Sequence, residues 1–391
     1  MKRTACWFIC LLLGVACITP APTALTFSDV SQTHLPLLDL TSNSMDVEPL
    51  DVDNDGDLDL IIASEFRPNV ILLNDGKGIF TSGTKGRLPT KNHDHEDIAL
   101  GDFDKDGDTD LVFVSEDDKI HEYYLNDGKG VFSDVSDQFP VQCISNAVVV
   151  GDFDKDGDLD LIMGNDGQDY FLANDGKGRF TNESASRMPV DQDVTQDVEA
   201  ADLDKDGDLD LIFGNEDDNK LYLNDGKGVF TNATAGRLPI SPGTEETRKV
   251  DLADVDGDGD LDVHFSNVNF RQTKNPANRL LINNGKGVFT DETAQRYQAV
   301  NNLNTADAQF ADLDGDKDLD LVLANIFGAA GPQVLINNGK GQFTEQTKTY
   351  LPEGAGREAI SVEIADVNKD GVPDVYFGIF RDTDVLLLGK R

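Results

Sequence analysis

Cysteine is almost missing from the body of this chain. Four occur in 391 residues, and Cys6, Cys10 and Cys17 all fall in the first seventeen positions. Only Cys143 remains beyond them, so an intrachain disulfide framework is excluded. Tryptophan occurs once, as Trp7 near the N-terminus, so the commonest sugar-stacking side chain is absent from the rest. Basic residues are scarce: 33 Lys and Arg stand against 73 Asp and Glu, a formal net charge of −40. Phosphate contact needs Lys and Arg patches, so a nucleic-acid partner is excluded. Past the N-terminus no apolar run is long enough to cross a membrane. No Ser-His-Asp order, His-rich centre or isolated carboxylate pair stands out, which argues against an enzyme.

The N-terminus has the form of an export leader over residues 1–24. Lys2 and Arg3 precede a short apolar run from Trp7 to Ala16, too short for a membrane anchor. Gly14-Val15-Ala16-Cys17 matches a bacterial lipobox, with Gly14 where Leu is usual, and would leave Cys17 lipidated. A small-residue cut between Ala21 and Ala24 is the competing reading. Either way the expected location is secreted, periplasmic or cell-surface.

What the chain has in abundance is one aspartate-rich loop, repeated about every fifty residues. A period of that length signals a repeat architecture. The first copy holds Asp51, Asp53, Asp55, Asp57 and Asp59 around Gly56. The second has Asp102, Asp104, Asp106, Asp108 and Asp110; the third Asp152, Asp154, Asp156, Asp158 and Asp160. The fourth has Asp202, Asp204, Asp206, Asp208 and Asp210; the fifth Asp254, Asp256, Asp258, Asp260 and Asp262. The sixth keeps Asp312, Asp314, Asp316, Asp318 and Asp320 but has Lys317 in place of the central glycine. The seventh is sparser, with Asp366, Asn368, Asp370, Val372 and Asp374.

Five carboxylates within nine residues repel one another unless a cation lies among them. Calcium takes six to eight oxygen ligands and accepts carboxylates and carbonyls together. Positions one, three, five and nine of each loop are expected to give side-chain oxygens, and position seven its carbonyl. Up to seven Ca2+ sites follow, with the site at Asp312 weakest. An EF-hand is excluded, because it needs a bidentate Glu at position twelve. Here that position is Ile62, Phe113, Met163, Phe213, Phe265, Leu323 and Phe377. The role expected for calcium is structural.

Four short apolar runs surround each loop. In the first repeat they are Val47 to Leu50, Leu60 to Ala63, Val70 to Leu73 and a strand starting at Phe80. Asn74-Asp75-Gly76-Lys77-Gly78 lies between the last two and is a tight-turn signal. Four strands with Gly-rich turns read as a propeller blade. The last repeat lacks its fourth strand, and Thr26 to Ser31 matches the missing one. The expected fold is an all-β, seven-bladed β-propeller of four-stranded blades over residues 25–391, its ring closed by the N-terminal strand. These loops at blade spacing resemble the FG-GAP (also called VCBS-type) repeat family, which includes the calcium-binding blades of integrin α-subunit propellers. The resemblance covers nearly all of the chain after the leader. It implies a seven-bladed propeller with calcium between the first and second strands, and adhesion or recognition only loosely.

In an up-and-down blade the calcium loops and the Gly-rich turns share one face. The variable loops, including the connections after Pro36, Pro89, Pro140, Pro189, Pro239 and Pro352, are expected on the other. Arg and aromatic residues there are candidate ligand contacts: Phe270, Arg271, Lys274, Arg296, Tyr297 and Phe327. A protein or glycan ligand is the expected partner. A polysaccharide lyase or hydrolase, or a lectin, is the alternative. His93-Asp94-His95 carries transition-metal ligands, but with no partner cluster in view it reads as a polar loop. Asn182 and Asn232 fit the glycosylation pattern, which has no meaning in a bacterial source.

Overall fold

The computed structural model describes residues 25–391 except 38–39, 41–42, 240–242, 271–272, 299–302, 328–330 and 356. The leader with Cys17 and the candidate contact Arg271 therefore lie outside the described residues.

The chain forms an all-β propeller of antiparallel sheets. In the first repeat the strands are Ser44–Leu50, Asp59–Arg67, Val70–Asn74 and Phe80–Ser82, paired in that order. The next repeat follows with His93–Gly101, Asp110–Ser115, Glu122–Asn126 and Phe132–Asp134. A short pairing of Glu65 with Asp94 and of Arg67 with His93 joins these two repeats into one eight-stranded sheet. His93-Asp94-His95 is thus strand, not the polar loop its composition suggested. Pairing to the preceding repeat overrides the local signal.

Four further sheets have four strands each, and one has a fifth short strand, Tyr297–Gln298, beside Phe343–Glu345. Thr26–Asp29 pairs antiparallel with Val385–Lys390 and supplies the outer strand of the last repeat. The first strands of successive repeats pack side by side in a closed cycle, with Ala359–Ala365 returning to Ser44–Leu50. Closure leaves no long open sheet edge.

The second strands explain why their sequences are continuously apolar. Leu60 and Ile62 face the last repeat and pack with Val367, Tyr376 and Leu386. Ile61 and Ala63 face the other way, onto Ile98, Phe113 and Tyr124 of the second repeat. A strand buried on both faces has no polar alternation. The core therefore lies between sheets, and each repeat needs its neighbours to exclude water.

Candidate calcium loops and the opposite face

Each acidic loop is folded by its own carboxylates before any ion is considered. The apolar second residue anchors it: Val52, Phe103, Phe153, Leu203, Val255, Leu313 and Val367 are all buried. Asp51 accepts the Asp55 N–H at 3.1 Å and the Gly56 N–H at 2.9 Å, one on each oxygen. Asp55 accepts the Asp57 N–H at 2.9 Å. Asp59 accepts the N–H groups of Val52 and Asn74 at 3.0 and 2.8 Å, tying the loop to the tight turn beside it. Gly56 has φ +90°, a region open to glycine. Lys317 occupies the equivalent place in the sixth loop at φ +80°, where a side chain is strained.

The donor set suits a hard divalent cation. Oxygens of Asp51, Asp53 and Asp59 lie within 4.8 Å of one another, as do those of Asp102, Asp104 and Asp110. Two oxygens on opposite sides of one Ca2+ are about 5 Å apart. The third-position oxygens Asp53 Oδ1, Asp204 Oδ1 and Asp256 Oδ1 are buried with no hydrogen-bond partner. Burial pushes the last carboxyl of each loop upward, Asp59 to about 6 and Asp110, Asp210 and Asp374 to about 7. Oxygen-only ligands at these spacings, with unpartnered lone pairs, fit calcium.

The seventh-position carboxylates turn out of their loops. Asp57 lies against Gly76 and is paired with Lys369 of the last repeat. The same pairing joins Lys105 to Asp158, Lys155 to Asp208 and Lys205 to Asp260. A lysine at position four of one loop thus grips the next loop round the ring.

A second latch comes from arginine. Arg87 reaches Asp53 at 3.0 Å and the Lys129 carbonyl of the next repeat at 2.6 Å. Arg187 does the same with Asp154 at 2.9 Å and the Lys227 carbonyl at 2.7 Å. Arg296 belongs to this set. It holds Asp256 at 3.0 Å, which corrects its expected place on the variable face. The fourth strands are only three residues long, so the chain has not crossed the blade when the arginine is reached. Tyr297 is likewise not a surface contact; its hydroxyl lies 2.7 Å from His264 Nε2, with the two rings nearly parallel at 11°. The available signal for this latch was the arginine that recurs at one place after the fourth strand, as Arg87, Arg187, Arg237 and Arg296.

On the opposite face, Phe270 and Phe327 come together. Their rings meet edge to face at 4.7 Å, and Phe380 lies 6.0 Å from Phe327. Phe270 and Phe327 remain 39% and 45% exposed. Lys274 is spoken for: its ammonium lies 2.5 Å from Asp217 and 3.2 Å from the Gly243 carbonyl. Beside this patch opens the central channel, with Asp46, Asp97, Asp197, Arg248, Lys249 and Asp307 at its mouth. Deeper in, Glu48, Glu199 and Glu363 join the lining. These acids alternate along the first strands, and nothing local in the sequence shows that they converge on one axis.

A model of the FG-GAP-like repeat matches residues 51–113, 102–163, 152–213, 202–265 and 312–377. The chain therefore belongs to the FG-GAP-like repeat family. No curated protein sequence matches it. Among solved structures it resembles BBS1N in complex with ARL6DN, with a TM-score of 0.60 at 12% identity over 94% of this chain and 98% of that one. A lectin of Agrocybe aegerita, solved in connection with recognition of non-reducing terminal N-acetylglucosamine, matches with a TM-score of 0.50 at 18% identity, over 88% and 87% of the two chains. The extracellular domain of the putative one component system BT4673 from B. thetaiotaomicron matches with a TM-score of 0.55 at 11% identity, over 93% of this chain and 40% of that one. At these identities the likeness speaks for the fold alone.

Proposed function

We propose that this protein is an exported, non-catalytic binding module whose propeller is held together by calcium. We read the eight-stranded sheet as two blades, which makes seven in all. The observation that carries the reading is the contrast between its two faces. One face repeats the same acidic loop from blade to blade, with the lysine and arginine latches recurring at four junctions each. The other gathers Phe270, Phe327 and Phe380 into a partly exposed aromatic patch at the mouth of the channel. A scaffold with one uniform face and one individual face is built to present the latter.

The ligand is a protein or a glycan, since solved relatives of the fold include one of each kind. Calcium acts on stability. Each site held at a hundred times its dissociation constant contributes about 2.7 kcal/mol, and the sixth, with Lys317 strained in its loop, contributes least.

The test joins both halves of the reading. Thermal unfolding followed by circular dichroism, in millimolar calcium and then in excess EGTA, should show a midpoint higher by tens of degrees with calcium. The calcium-loaded protein is then applied to a glycan array that includes terminal N-acetylglucosamine, and to immobilised surface-protein extracts. The Phe270→Ala/Phe327→Ala variant should melt normally and lose at least tenfold in binding. A midpoint indifferent to calcium, or binding untouched by the double substitution, would sink the proposal.

A further inference from the structure

His93 and His95 lie two residues apart on one strand, so their side chains share a face. Glu122 opens the third strand of the same repeat and faces them. His95 is fully buried and Glu122 nearly so. The Ser64 N–H donates to Asn69 Oδ1 at 3.1 Å, which fixes the orientation of that amide. Asn69 Oδ1 is also 3.1 Å from His95 Nδ1, so Nδ1 carries the proton. His95 Nε2 is left with a lone pair. It has no hydrogen-bond partner and points at Glu122 Oε2, 3.7 Å away.

His93 repeats the arrangement. Its Nδ1 lies 2.7 Å from Asp118 Oδ2, which turns Nε2 toward the other oxygen of Glu122 at 3.8 Å. Two imidazole nitrogens thus face the two oxygens of one buried carboxylate. Asn69 Nδ2 donates to Glu122 Oε2 at 3.4 Å, but His95 Nε2 keeps no partner of its own, an opening that a metal ion would fill.

We propose that His93, His95 and Glu122 form a transition-metal site, separate from the calcium loops, that takes Zn2+. Two imidazoles and a carboxylate, with an open fourth position, are a common zinc donor set. Each imidazole is oriented through its other nitrogen by an oxygen acceptor, the usual outer support of metal-bound histidine. Ligands on a tetrahedral Zn2+ stand about 3.3 Å apart. The two histidine–carboxylate distances, 3.8 Å from His93 to Oε1 and 3.7 Å from His95 to Oε2, are each a few tenths of an ångström longer than that. Lys91 holds the place of the ion. Its ammonium is 3.1 Å from Glu122 Oε1 and 2.7 Å from Asp134 Oδ2, and its side chain is exposed enough to swing wholly to Asp134.

The position is particular to this repeat. At the register place of His95 the others have Ser44, Ser145, Thr195, Thr247, Thr305 and Ala359. Where Glu122 stands, the first, third and fourth repeats have Val70, Tyr170 and Lys220.

The full chain without its leader, saturated with calcium so that the acidic loops are filled, is titrated with Zn2+ by calorimetry and with Co2+ by visible absorption. One Zn2+ per chain is expected, and a Co2+ spectrum of the intense four-coordinate kind. His93→Gln and Glu122→Gln should each weaken Zn2+ binding at least a hundredfold without moving the calcium-loaded melting midpoint. Lys91→Gln should strengthen it about tenfold, which keeps the test open if another variant folds poorly. Absence of Zn2+ binding in the unaltered protein overturns the proposal. So does binding that excess calcium displaces, or that the Gln variants leave unchanged.

Discussion

Replacing Lys249 with methionine removes the cation around which the channel acids are arranged. Lys249 Nζ lies 3.5 Å from Asp197 Oδ1, and the side chain is 28% exposed. At an effective dielectric of 20 that pair alone is attractive by about 5 kcal/mol. Methionine keeps the stem and avoids the desolvation of an ammonium, so the net loss at pH 8.5 should be about 3 kcal/mol. For a domain of this size that is a fall of about 4 °C in the melting midpoint.

The loss should depend on pH. Burial raises Asp46, Glu48 and Asp307 to about 7, Glu199 to about 8 and Glu363 to about 9. Asp97 and Asp251 are raised well above the ordinary carboxylate range for the same reason. Burial opposes the charge on Lys249, but Asp197, Asp97, Asp307 and Glu199 outweigh it and its pKa is raised well above the usual lysine value. A carboxyl whose folded pKa exceeds its unfolded one favours the folded state below the unfolded pKa, and that contribution is lost as pH rises through the folded pKa. The folded protein is thus more stable at pH 5.5 than at pH 8.5. At pH 5.5 the acids with raised pKa values carry protons and no longer need the ammonium, so the variant should lose less there than at pH 8.5. The assay is thermal unfolding of both proteins in saturating calcium at the two pH values. Equal losses at both, or a methionine variant more stable at pH 8.5, would refute the electrostatic account.

Two substitutions test the loop face. Arg187→Ala removes a side chain that binds Asp154, accepts contact from the Phe171 ring at 4.7 Å and crosses to the Lys227 carbonyl. It should cost about 2 kcal/mol of stability and weaken calcium binding at the third loop about tenfold by freeing Asp154, both read by calcium titration of the melting midpoint. Lys317→Gly relieves the strained φ of the sixth loop. It should stabilise the calcium-loaded protein by about 1 kcal/mol and raise the affinity of that loop; a loss of stability would show that the lysine side chain itself contributes.

Much of the fold was legible because the sequence repeats. The four runs, the Asn-Gly-rich turn and the displaced strand at Thr26 each recur or fail to recur at fixed offsets, and the pairing of Thr26 with Lys390 follows from that count. The acidic loops were equally legible, since their donors are neighbours in the chain. Arg296 was misplaced because its role depends on the length of the strand before it. The same arginine recurs as Arg87, Arg187 and Arg237, which was visible, but the face it serves was not.

The sequence by itself therefore determined what is local and periodic: strand order within a repeat, loop chemistry and the ring. Tertiary structure alone decided what the ring brings together from distant repeats. Glu48, Glu199 and Glu363 converge on the channel because separate first strands share an axis. Glu122 faces His93 and His95 across the second strand that lies between the first and third strands of that repeat, while Asn69 of the repeat before sets the proton on His95. Such contacts leave no mark at any single spacing in the chain, because the distance they close lies across strands and between sheets and not along a strand.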